Sequence, residues 1–283
     1  MNTFLTRTIS AFFFVVIMLA GILWNEISFF ILFFFIQLFA LQEYLRLMKK
    51  IDAGYAGISP LHQLMVLVAG CGMMIIAGGN LFHWGNTTYT EMGIKLVLFS
   101  LIILLAADLL ITKNFRIRSL GNSLFGLVYI SLAFGLLVNL RLNPLKQLHA
   151  SALLLPLVLI LSIWVNDTMA YIIGSLIGRT KFFPGISPNK TWEGTLGGIL
   201  LTILAAGIWV WLGGRQHLGI WMSIACIGSV VGTAGDLLES KLKRLAGVKD
   251  SGSILPGHGG FIDRFDSLLL AIPATWLFVL ALR

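Results

Sequence analysis

The chain has 283 residues, of which 58% are hydrophobic and only 11% are charged, and its mean hydropathy is +0.92. Soluble domains are about 45–50% apolar and about 25% charged, so this composition excludes a disordered chain, a disulfide-stapled secreted domain and an ordinary cytosolic enzyme. It predicts a polytopic all-α membrane protein, whose net charge of +8 suits loops that face anionic lipids or anionic substrates.

Apolar runs along the chain predict nine transmembrane helices, since each crossing needs about 20 residues. The first two runs, 11–24 and 29–41, are predicted to form a hairpin that turns at Asn25 and Glu26. One tilted helix across 9–42 is the alternative, and it would leave eight spans. The remaining runs are 64–82, 94–112, 119–140, 151–177, 194–214, 218–238 and 267–282.

The basic residues of the predicted loops indicate the orientation. With nine helices, most of the 20 Lys and Arg residues lie on the side of the amino terminus, which the positive-inside rule places in the cytoplasm. With eight helices only Arg7 changes side. We therefore predict a multi-pass protein of the inner (cytoplasmic) membrane, with the amino terminus in the cytoplasm. It is predicted to be one integral membrane domain, with N-terminal helices in 1–148 and a catalytic half in 149–283.

Three glycine pairs have the four-residue spacing that lets helix backbones approach closely in membranes. We expect these pairs to pack helices against one another and assign them no chemical role. The pairs are Gly174/Gly178, Gly194/Gly198 and Gly228/Gly232.

Most of the 12 carboxylates follow residue 160, and several lie at the ends of apolar helices. Ionisable groups at membrane depth are costly and mark functional sites by default. Asp263 and Asp266 share one helical face. A second face that carries carboxylates lies earlier in the sequence, at the end of the preceding apolar helix. The two helix ends could converge on Mg²⁺, which prefers oxygen ligands, or they could be solvated and salt-bridged charges. The second face consists of Asp236, Glu239, Ser240 and Lys243.

In the first half, four carboxylates are expected in loops or at helix ends. The polar chemistry is therefore expected to be concentrated in the second half of the chain. The four carboxylates are Glu26, Glu43, Asp52 and Glu91.

The segment between the two carboxylate-bearing helix ends is rich in glycine and basic residues. Glycines permit the close backbone approach and positive φ that a phosphate-binding nest of N–H groups requires. No GxxxxGK[ST] run occurs, so this is not a Walker loop. A basic loop is more often an orientation or lipid-surface signal, but the interleaved glycines and acids favour triphosphate binding. The flanking cations are Lys243, Arg244, Lys249 and Arg264.

A second polar loop covers residues 179–194. Ser187 followed by Pro188 is typical of a helix N-cap and first helical position, which would present a helix amino terminus to the cytoplasm. With Lys190 beside it, this end is a candidate anion site, although a capped helix with a snorkelling lysine explains the pattern equally well. His258, between glycines, could be a general base, a phosphate donor or a turn residue, and we favour phosphate contact.

Residues 240–266, SKLKRLAGVKDSGSILPGHGGFIDRFD, resemble the 27-residue signature of the phosphatidate cytidylyltransferases (CDP-diacylglycerol synthases) of bacterial type. Residues 167–174 and 187–194 resemble the second conserved region of that family. The specific likeness covers roughly residues 160–270, and the first 150 residues match only as apolar helices.

The resemblance implies a nucleotidyltransferase of phospholipid biosynthesis that makes CDP-diacylglycerol and pyrophosphate from CTP and phosphatidic acid with Mg²⁺. It also implies a homodimer in contact with membrane lipid, and no nucleic acid partner is expected. The residues that match the family's metal ligands are Asp236 and Asp263, to which we add Asp266, or Asp250, as a further ligand. A second cation of unspecified identity could bridge the phosphates.

A phosphate monoester is mostly dianionic near neutral pH, so its attack on CTP needs little help from a base. Neutralising charge around the α-phosphorus is the harder task. The predicted catalytic residues are Asp236, Asp263, Lys249 and Arg264. Triphosphate contacts are expected from Lys243, Arg244, Asp250, His258, Gly259 and Gly260. Contacts to the lipid phosphate or the nucleotide are expected from Ser187, Lys190 and Thr191.

Two other functions remain as alternatives. A CTP-dependent lipid kinase of similar architecture would transfer the γ-phosphoryl group and release CDP, and only the 27-residue likeness favours the cytidylyltransferase over it. An ion-coupled transporter would use Asp167 and Asp236 as sites near the middle of the membrane. It predicts paired repeats with broken helices and few charges in 241–266, and the sequence has neither.

Overall fold

The computed structural model describes residues 3–79, 81, 83–84, 87–110, 116–143, 153–214, 216–252 and 259–282, with the backbone alone for 3–11, 83–84 and 87. In these ranges the chain is almost entirely helical. The helices are α1 Thr3–Leu23, α2 Glu26–Ile51, α3 Ala53–Ala56, α4 Pro60–Gly78, α5 Tyr89–Leu110, α6 Ile117–Gly126, α7 Ala133–Leu142, α8 Leu154–Ile177, α9 Trp192–Leu212, α10 Leu218–Leu245 and α11 Ile262–Ala281. A π-helical turn, Leu127–Leu132, joins α6 to α7.

Two short antiparallel hairpins accompany the helices. Strands β1 (His83–Trp84) and β2 (Thr87–Thr88) pair before α5. Strands β3 (Lys181–Phe183) and β4 (Ser187–Thr191) pair before α9, with Lys181 opposite Thr191 and Phe183 opposite Ser187. The predicted all-α class is confirmed, with these hairpins as small additions.

Eight helices of the described ranges are long and apolar enough to cross a membrane, which confirms a polytopic protein. Helix α1 is the ninth long helix, and its apolar part, Phe12–Leu23, is shorter than the other spans. That α1 crosses the membrane stays a prediction. The eight spans are α2, α4, α5, the continuous segment Ile117–Leu142, α8, α9, α10 and α11.

The predicted turn between the first two helices is confirmed. Helix α1 ends at Leu23 and α2 begins at Glu26, so one tilted helix across 9–42 is excluded. Asn25 is the N-cap of α2, and its side-chain oxygen accepts from the Ser28 backbone amide at 2.7 Å. The Asn25 backbone amide in turn donates to the Ser28 hydroxyl at 3.0 Å. This reciprocal pair satisfies backbone donors that a helix start otherwise leaves without partners.

The chain divides into two compact units. The first contains residues 1–142 and 242–264, and the second contains 143–241 and 265–283. The predicted single-domain organisation, with halves 1–148 and 149–283, stays a prediction.

The core of the first unit is aromatic and closely packed. Phe29, Phe33 and Phe134 are fully buried, and the rings of Phe33 and Phe134 stack with centroids 5.8 Å apart. Helices α4 and α5 meet at Gly72 and Gly93, where a Cβ on Gly93 would lie 2.8 Å from the Gly72 carbonyl oxygen. Backbones this close require glycine, so these positions fix how the two helices pack.

A buried polar network also joins helices of the first unit. His62 Nδ1 lies 2.8 Å from an Asp108 carboxylate oxygen, and His62 Nε2 lies 2.7 Å from the Ser123 hydroxyl. The Ser123 hydroxyl in turn lies 2.7 Å from the Tyr55 hydroxyl. All four side chains are buried, so each polar group satisfies another that burial would otherwise penalise.

The glycine pairs predicted to pack helices do so in the second unit. A Cβ on Gly194 would meet the Ala170 carbonyl oxygen at 2.7 Å, and one on Gly198 would meet the Asn166 carbonyl oxygen at 2.9 Å, so α9 lies directly on α8. Gly228 faces Leu159 and Ser162 on α8 in the same way. The prediction from spacing is confirmed for these contacts.

The predicted N-cap at Ser187 with Pro188 at the first helical position is wrong. Both residues lie in β4, and α9 begins at Trp192 with Thr191 as its N-cap, whose hydroxyl accepts from the Gly194 amide at 3.1 Å. A residue before proline is driven toward extended backbone, and that preference suits a strand as well as a cap.

Candidate active site

Three carboxylates of the second unit lie together and are called the acidic cluster: Asp236, Glu239 and Asp266. One oxygen of each lies within 4.8 Å of the others. Helices α10 and α11 bring them together at Gly235, where a Cβ would lie only 2.6 Å from the Asp266 carbonyl oxygen. Glu239 is buried, and the other two are partly exposed.

A lysine from the β3–β4 hairpin lies against this cluster. Lys190 Nζ forms an ion pair with Asp236 Oδ2, and both side chains are about one-quarter exposed. Asp236 also accepts from the Ser240 hydroxyl at 3.3 Å. Asp167, on α8, lies near enough to interact electrostatically with both Asp236 and Lys190. The predicted residues Asp236, Asp266 and Lys190 are thus brought together in the second unit.

Local hydrogen bonds fix the hairpin that carries Lys190. The Glu193 carboxylate, in the first turn of α9, accepts from the Thr180 amide at 3.1 Å and from the Arg179 amide at 3.2 Å. Thr191 caps the same helix and is buried, whereas Ser187 is partly exposed. Lys190 is therefore held between a paired strand and a capped helix start.

In the first unit, Asp263 organises the glycine-rich segment. Its Oδ2 accepts from the Gly260 amide at 2.7 Å and from the Ser251 amide and hydroxyl, both at 2.9 Å. Its Oδ1 accepts from Lys243 Nζ, also at 2.7 Å. We call Lys243, Ser251, Gly260 and Asp263 the Asp263 loop. Gly259 has a φ of +79°, a left-handed conformation that favours glycine.

The other predicted contacts of this segment are mostly exposed. Helix α10 ends at Leu245. Gly247, just after it, has a φ of +68°, which lets the Val248 amide donate back to the Lys243 carbonyl oxygen at 3.0 Å. His258 lies outside the described residues. The exposed residues are Arg244, Lys249, Asp250 and Arg264.

Two carboxylates near these groups are absent from the predicted site residues. Glu239 lies on the face that is predicted to converge on Mg²⁺, but the sequence does not single it out as a ligand. Glu43 was expected in a loop or at a helix end, and that is wrong, because it lies inside α2 with no exposure. The apolar run was read as ending at residue 41, whereas α2 continues to Ile51.

The acidic cluster suits a hard divalent cation. All its ligand atoms are carboxylate oxygens, and their spacing within 4.8 Å allows them to bind one ion. Mg²⁺ takes oxygen ligands and is usually held by one or two carboxylates with several waters, so three carboxylates suffice. The Oδ2 atom of Asp263 accepts hydrogen bonds, and its Oδ1 atom accepts from a lysine. The role of Asp263 as a metal ligand stays a prediction.

Comparison with known proteins identifies the family. Residues 5–282 match the model of the cytidylyltransferase family. A phosphatidate cytidylyltransferase of Bacillus subtilis is 38% identical over 189 residues, which are 66% of this chain and 68% of that protein. One from Staphylococcus saprophyticus is 34% identical over 208 residues, or 73% of this chain and 76% of that protein. One from Staphylococcus epidermidis is 38% identical over 173 residues, and the match spans 63% of that protein and 60% of this chain. The chain therefore belongs to the cytidylyltransferase family.

Proposed function

We propose that this enzyme transfers the cytidylyl group of CTP to phosphatidic acid and produces CDP-diacylglycerol and pyrophosphate. The observation that carries the proposal is the acidic cluster with Lys190 beside it, in a chain of the cytidylyltransferase family. The named relatives are phosphatidate cytidylyltransferases, which supports this choice of substrates.

The proposed reaction is one displacement at phosphorus. An oxygen of the phosphatidic acid phosphate attacks the α-phosphorus of CTP, and a new P–O bond forms. The bond from the α-phosphorus to the bridging oxygen breaks, and pyrophosphate leaves with that electron pair. The nucleophile is already a dianion for the most part, so no residue is assigned as a base.

The basic residues of this chain supply fixed positive charge for that step. Lys243, Arg244, Lys249 and Arg264, with His258, Gly259, Gly260 and Asp250, are assigned to the triphosphate and the leaving pyrophosphate. Ser187, Lys190 and Thr191 are assigned to the lipid phosphate or the nucleotide. In phosphoryl-type transfer the protein contributes mainly by positioning the substrates and by stabilising the negative charge of their phosphates.

A divalent cation is expected in this site. Asp236, Glu239 and Asp266 would hold it. The family resemblance implies Asp236 and Asp263 as metal ligands, with Asp266, or Asp250, as a further ligand. When bound, Mg²⁺ supplies positive charge that offsets the negative charge of the phosphates during transfer. A second cation of unspecified identity remains part of the proposal.

The enzyme is proposed to lie in the inner membrane as a homodimer, with the site facing the cytoplasm. Helix α10 has 28 residues and is about 42 Å long at 1.5 Å per residue, enough to cross the membrane. In a background without Cys71 and Cys226, Lys241→Cys should react with an impermeant maleimide only from the cytoplasm. Residue 216 is exposed and lies just before the first residue of α10, so Gln216→Cys should react only from the opposite side of the membrane. The reverse pattern would contradict the orientation.

The reaction is tested by incubating the purified enzyme with phosphatidic acid, Mg²⁺ and CTP labelled at the α-phosphate. Label in the lipid phase with an equal amount of pyrophosphate is the expected result. Unlabelled lipid with CDP as product would instead support the lipid kinase. If neither product forms, the transporter becomes the better hypothesis.

The role of Asp263 is tested separately. Asp263→Asn keeps the shape of the side chain but removes its charge, and we expect the turnover rate to fall by about a hundredfold or more, since several kcal/mol of charge stabilisation are lost. A rate near that of the wild type, in matched lipid and Mg²⁺, would overturn the assignment of Asp263 to the metal.

A further inference from the structure

Glu43 is a carboxylate of the N-terminal helices that lies completely inside the first unit. It belongs to α2, an apolar helix, and its exposed fraction is 0%. A charged group buried this way costs several kcal/mol unless hydrogen bonds or an opposite charge compensate for it. The hydrogen bonds that compensate for the burial of Glu43 therefore indicate its structural role.

The described partners of Glu43 all come from the glycine-rich segment. Its Oε2 accepts from the Ser251 hydroxyl and from the Ile262 amide, both at 3.1 Å. Its Oε1 is buried and has no hydrogen-bond partner among the described residues. The Ile262 amide is one of the free donors at the start of α11, so Glu43 anchors that helix end.

Two glycines of the segment leave room for this carboxylate. A Cβ on Gly252 or on Gly260 would collide with the carboxylate oxygens of Glu43. The glycines thus allow the backbone on both sides of residues 253–258 to lie directly on Glu43. Gly260 also donates to Asp263, so the same residue touches both carboxylates.

Ser251 links Glu43 to Asp263. Its hydroxyl oxygen lies 3.1 Å from Glu43 Oε2 and 2.9 Å from Asp263 Oδ2. A hydroxyl has one proton and can donate to only one acceptor at a time. Asp263 Oδ2 has the Ser251 and Gly260 amides as well, which leaves the hydroxyl available to Glu43. Ser251 thus connects Glu43 to Asp263, which in turn accepts from Lys243 Nζ.

We infer that Glu43 is a positioning residue for CTP binding, which holds the Asp263 loop in place through Ser251 and the Ile262 amide. This inference rests on the proposed function, in which Asp263 and Lys243 serve the metal and the triphosphate. Glu43 is fully buried, and no substrate contact is assigned to it. It sets the geometry of residues to which such contacts are assigned.

The test compares two substitutions at Glu43 with a control on the same helix. Glu43→Leu removes both acceptors, whereas Glu43→Gln keeps one oxygen that can accept from Ser251 and Ile262. We expect Glu43→Leu to raise KM for CTP about tenfold and to change KM for phosphatidic acid by less than about twofold. In Glu43→Gln, KM for CTP should stay within about threefold of the wild-type value. Glu26→Gln, exposed at the start of α2, should match the wild type.

A double-mutant cycle with Ser251→Ala tests the path. If Glu43 acts through Ser251, the double variant Glu43→Leu/Ser251→Ala should raise KM for CTP no more than the larger single effect. Additive effects, or an unchanged KM for CTP in folded Glu43→Leu, would overturn the inference. If Glu43→Leu does not fold, Ser251→Ala decides alone, and an unchanged KM for CTP overturns it.

Hydrogen exchange of residues 259–265 separates this inference from the proposed function. These amides should exchange faster in Glu43→Leu than in the wild type and Glu43→Gln, whether or not the enzyme turns over. Equal exchange in all three would contradict the positioning role. A wild type that makes no labelled lipid would overturn the proposed function, and the exchange result would still decide the role of Glu43.

Discussion

Asp263 and Asp236 have the same side chain but opposite surroundings. Asp263 accepts from two backbone amides and a lysine and shares the Ser251 hydroxyl with Glu43, so its charge is distributed over hydrogen bonds that shape a loop. Asp236 lies among other carboxylates, with Lys190 as the described cation against it. Carboxylates this close repel one another, and a cation is what relieves that repulsion.

The Asp263 loop and the acidic cluster therefore have separate tasks. The Asp263 loop uses a carboxylate to organise backbone, so its variants should affect local order and substrate binding. The acidic cluster concentrates negative charge, so its variants should affect cation binding and rate. Substitutions in one group should leave the other intact, and a substitution in the hairpin beside the acidic cluster should affect stability alone.

The largest effect is expected from the acidic cluster itself. Asp236→Asn should lower the turnover rate by about a hundredfold or more, since a bound cation contributes several kcal/mol to charge stabilisation. It should also weaken Mn²⁺ binding, measured by electron paramagnetic resonance of the purified protein. Glu91→Gln, an exposed carboxylate at the start of α5, is the control and should change neither quantity. Unchanged Mn²⁺ binding in Asp236→Asn would remove the distinction between the two groups.

A smaller effect on the same cluster should follow from helix spacing. Gly235→Ala places a methyl group against the Asp266 carbonyl oxygen, so α10 and α11 must separate. Displaced ligands typically weaken metal binding about 10–100-fold, and we expect the Mn²⁺ affinity to fall within that range. Gly219→Ala is the matched control, because a Cβ there meets nothing within 4 Å. A Mn²⁺ affinity equal to that of the control would show that the close approach of α10 and α11 at Gly235 does not determine the geometry of the acidic cluster.

For the Asp263 loop, an added methyl group should reduce stability first. Gly260→Ala collides with the Glu43 and Ser251 side chains, and such overpacking typically costs about 1–3 kcal/mol. The thermal unfolding midpoint should fall, and Glu43→Ala in the same chain should partly restore it. Gly121→Ala, with open space around its Cβ, should not lower the midpoint. No restoration by Glu43→Ala would leave the Ser251 side chain as the group that the added methyl group displaces.

The smallest effect is expected at the hairpin beside the cluster. Thr191→Ala removes the N-cap of α9 and should cost about 1 kcal/mol of stability, while Thr191→Ser should keep most of it. Both can be measured by thermal unfolding in detergent. A loss in Thr191→Ser as large as in Thr191→Ala would assign the effect to the lost methyl group.

Local patterns predicted much of the fold. Hydrophobic runs correctly predicted the eight helices that are long and apolar enough to span the membrane, and Asn25 and Glu26 were correctly predicted as the turn between the first two helices. The four-residue glycine spacing correctly predicted the packing of α8 and α9. Each of these depends on neighbours in sequence, and membrane helices satisfy their backbone internally. The same local reasoning failed at Ser187, where a cap and an extended strand share one pattern.

The candidate site was predicted only in part, because its contacts are long-range. Asp236, Asp266 and Lys190 were named from the sequence, and the structure brings them together. Glu43 was missed because Ser251 and Ile262 lie 208 and 219 residues further along the chain. No spacing rule connects positions so far apart, and only the packed helices reveal that contact.

The separation of Glu43 from Ile262 also has a consequence for how the chain is made. At about 5–20 residues per second, a ribosome reaches residue 262 roughly 10–45 s after residue 43. Helix α2 thus enters the membrane well before the amide that Glu43 binds exists. Until then the partners that Glu43 has at residues 251 and 262 are absent, so burying its carboxyl group carries a free-energy cost. Nascent chains that stop before residue 251 should therefore be degraded faster than those that pass residue 262.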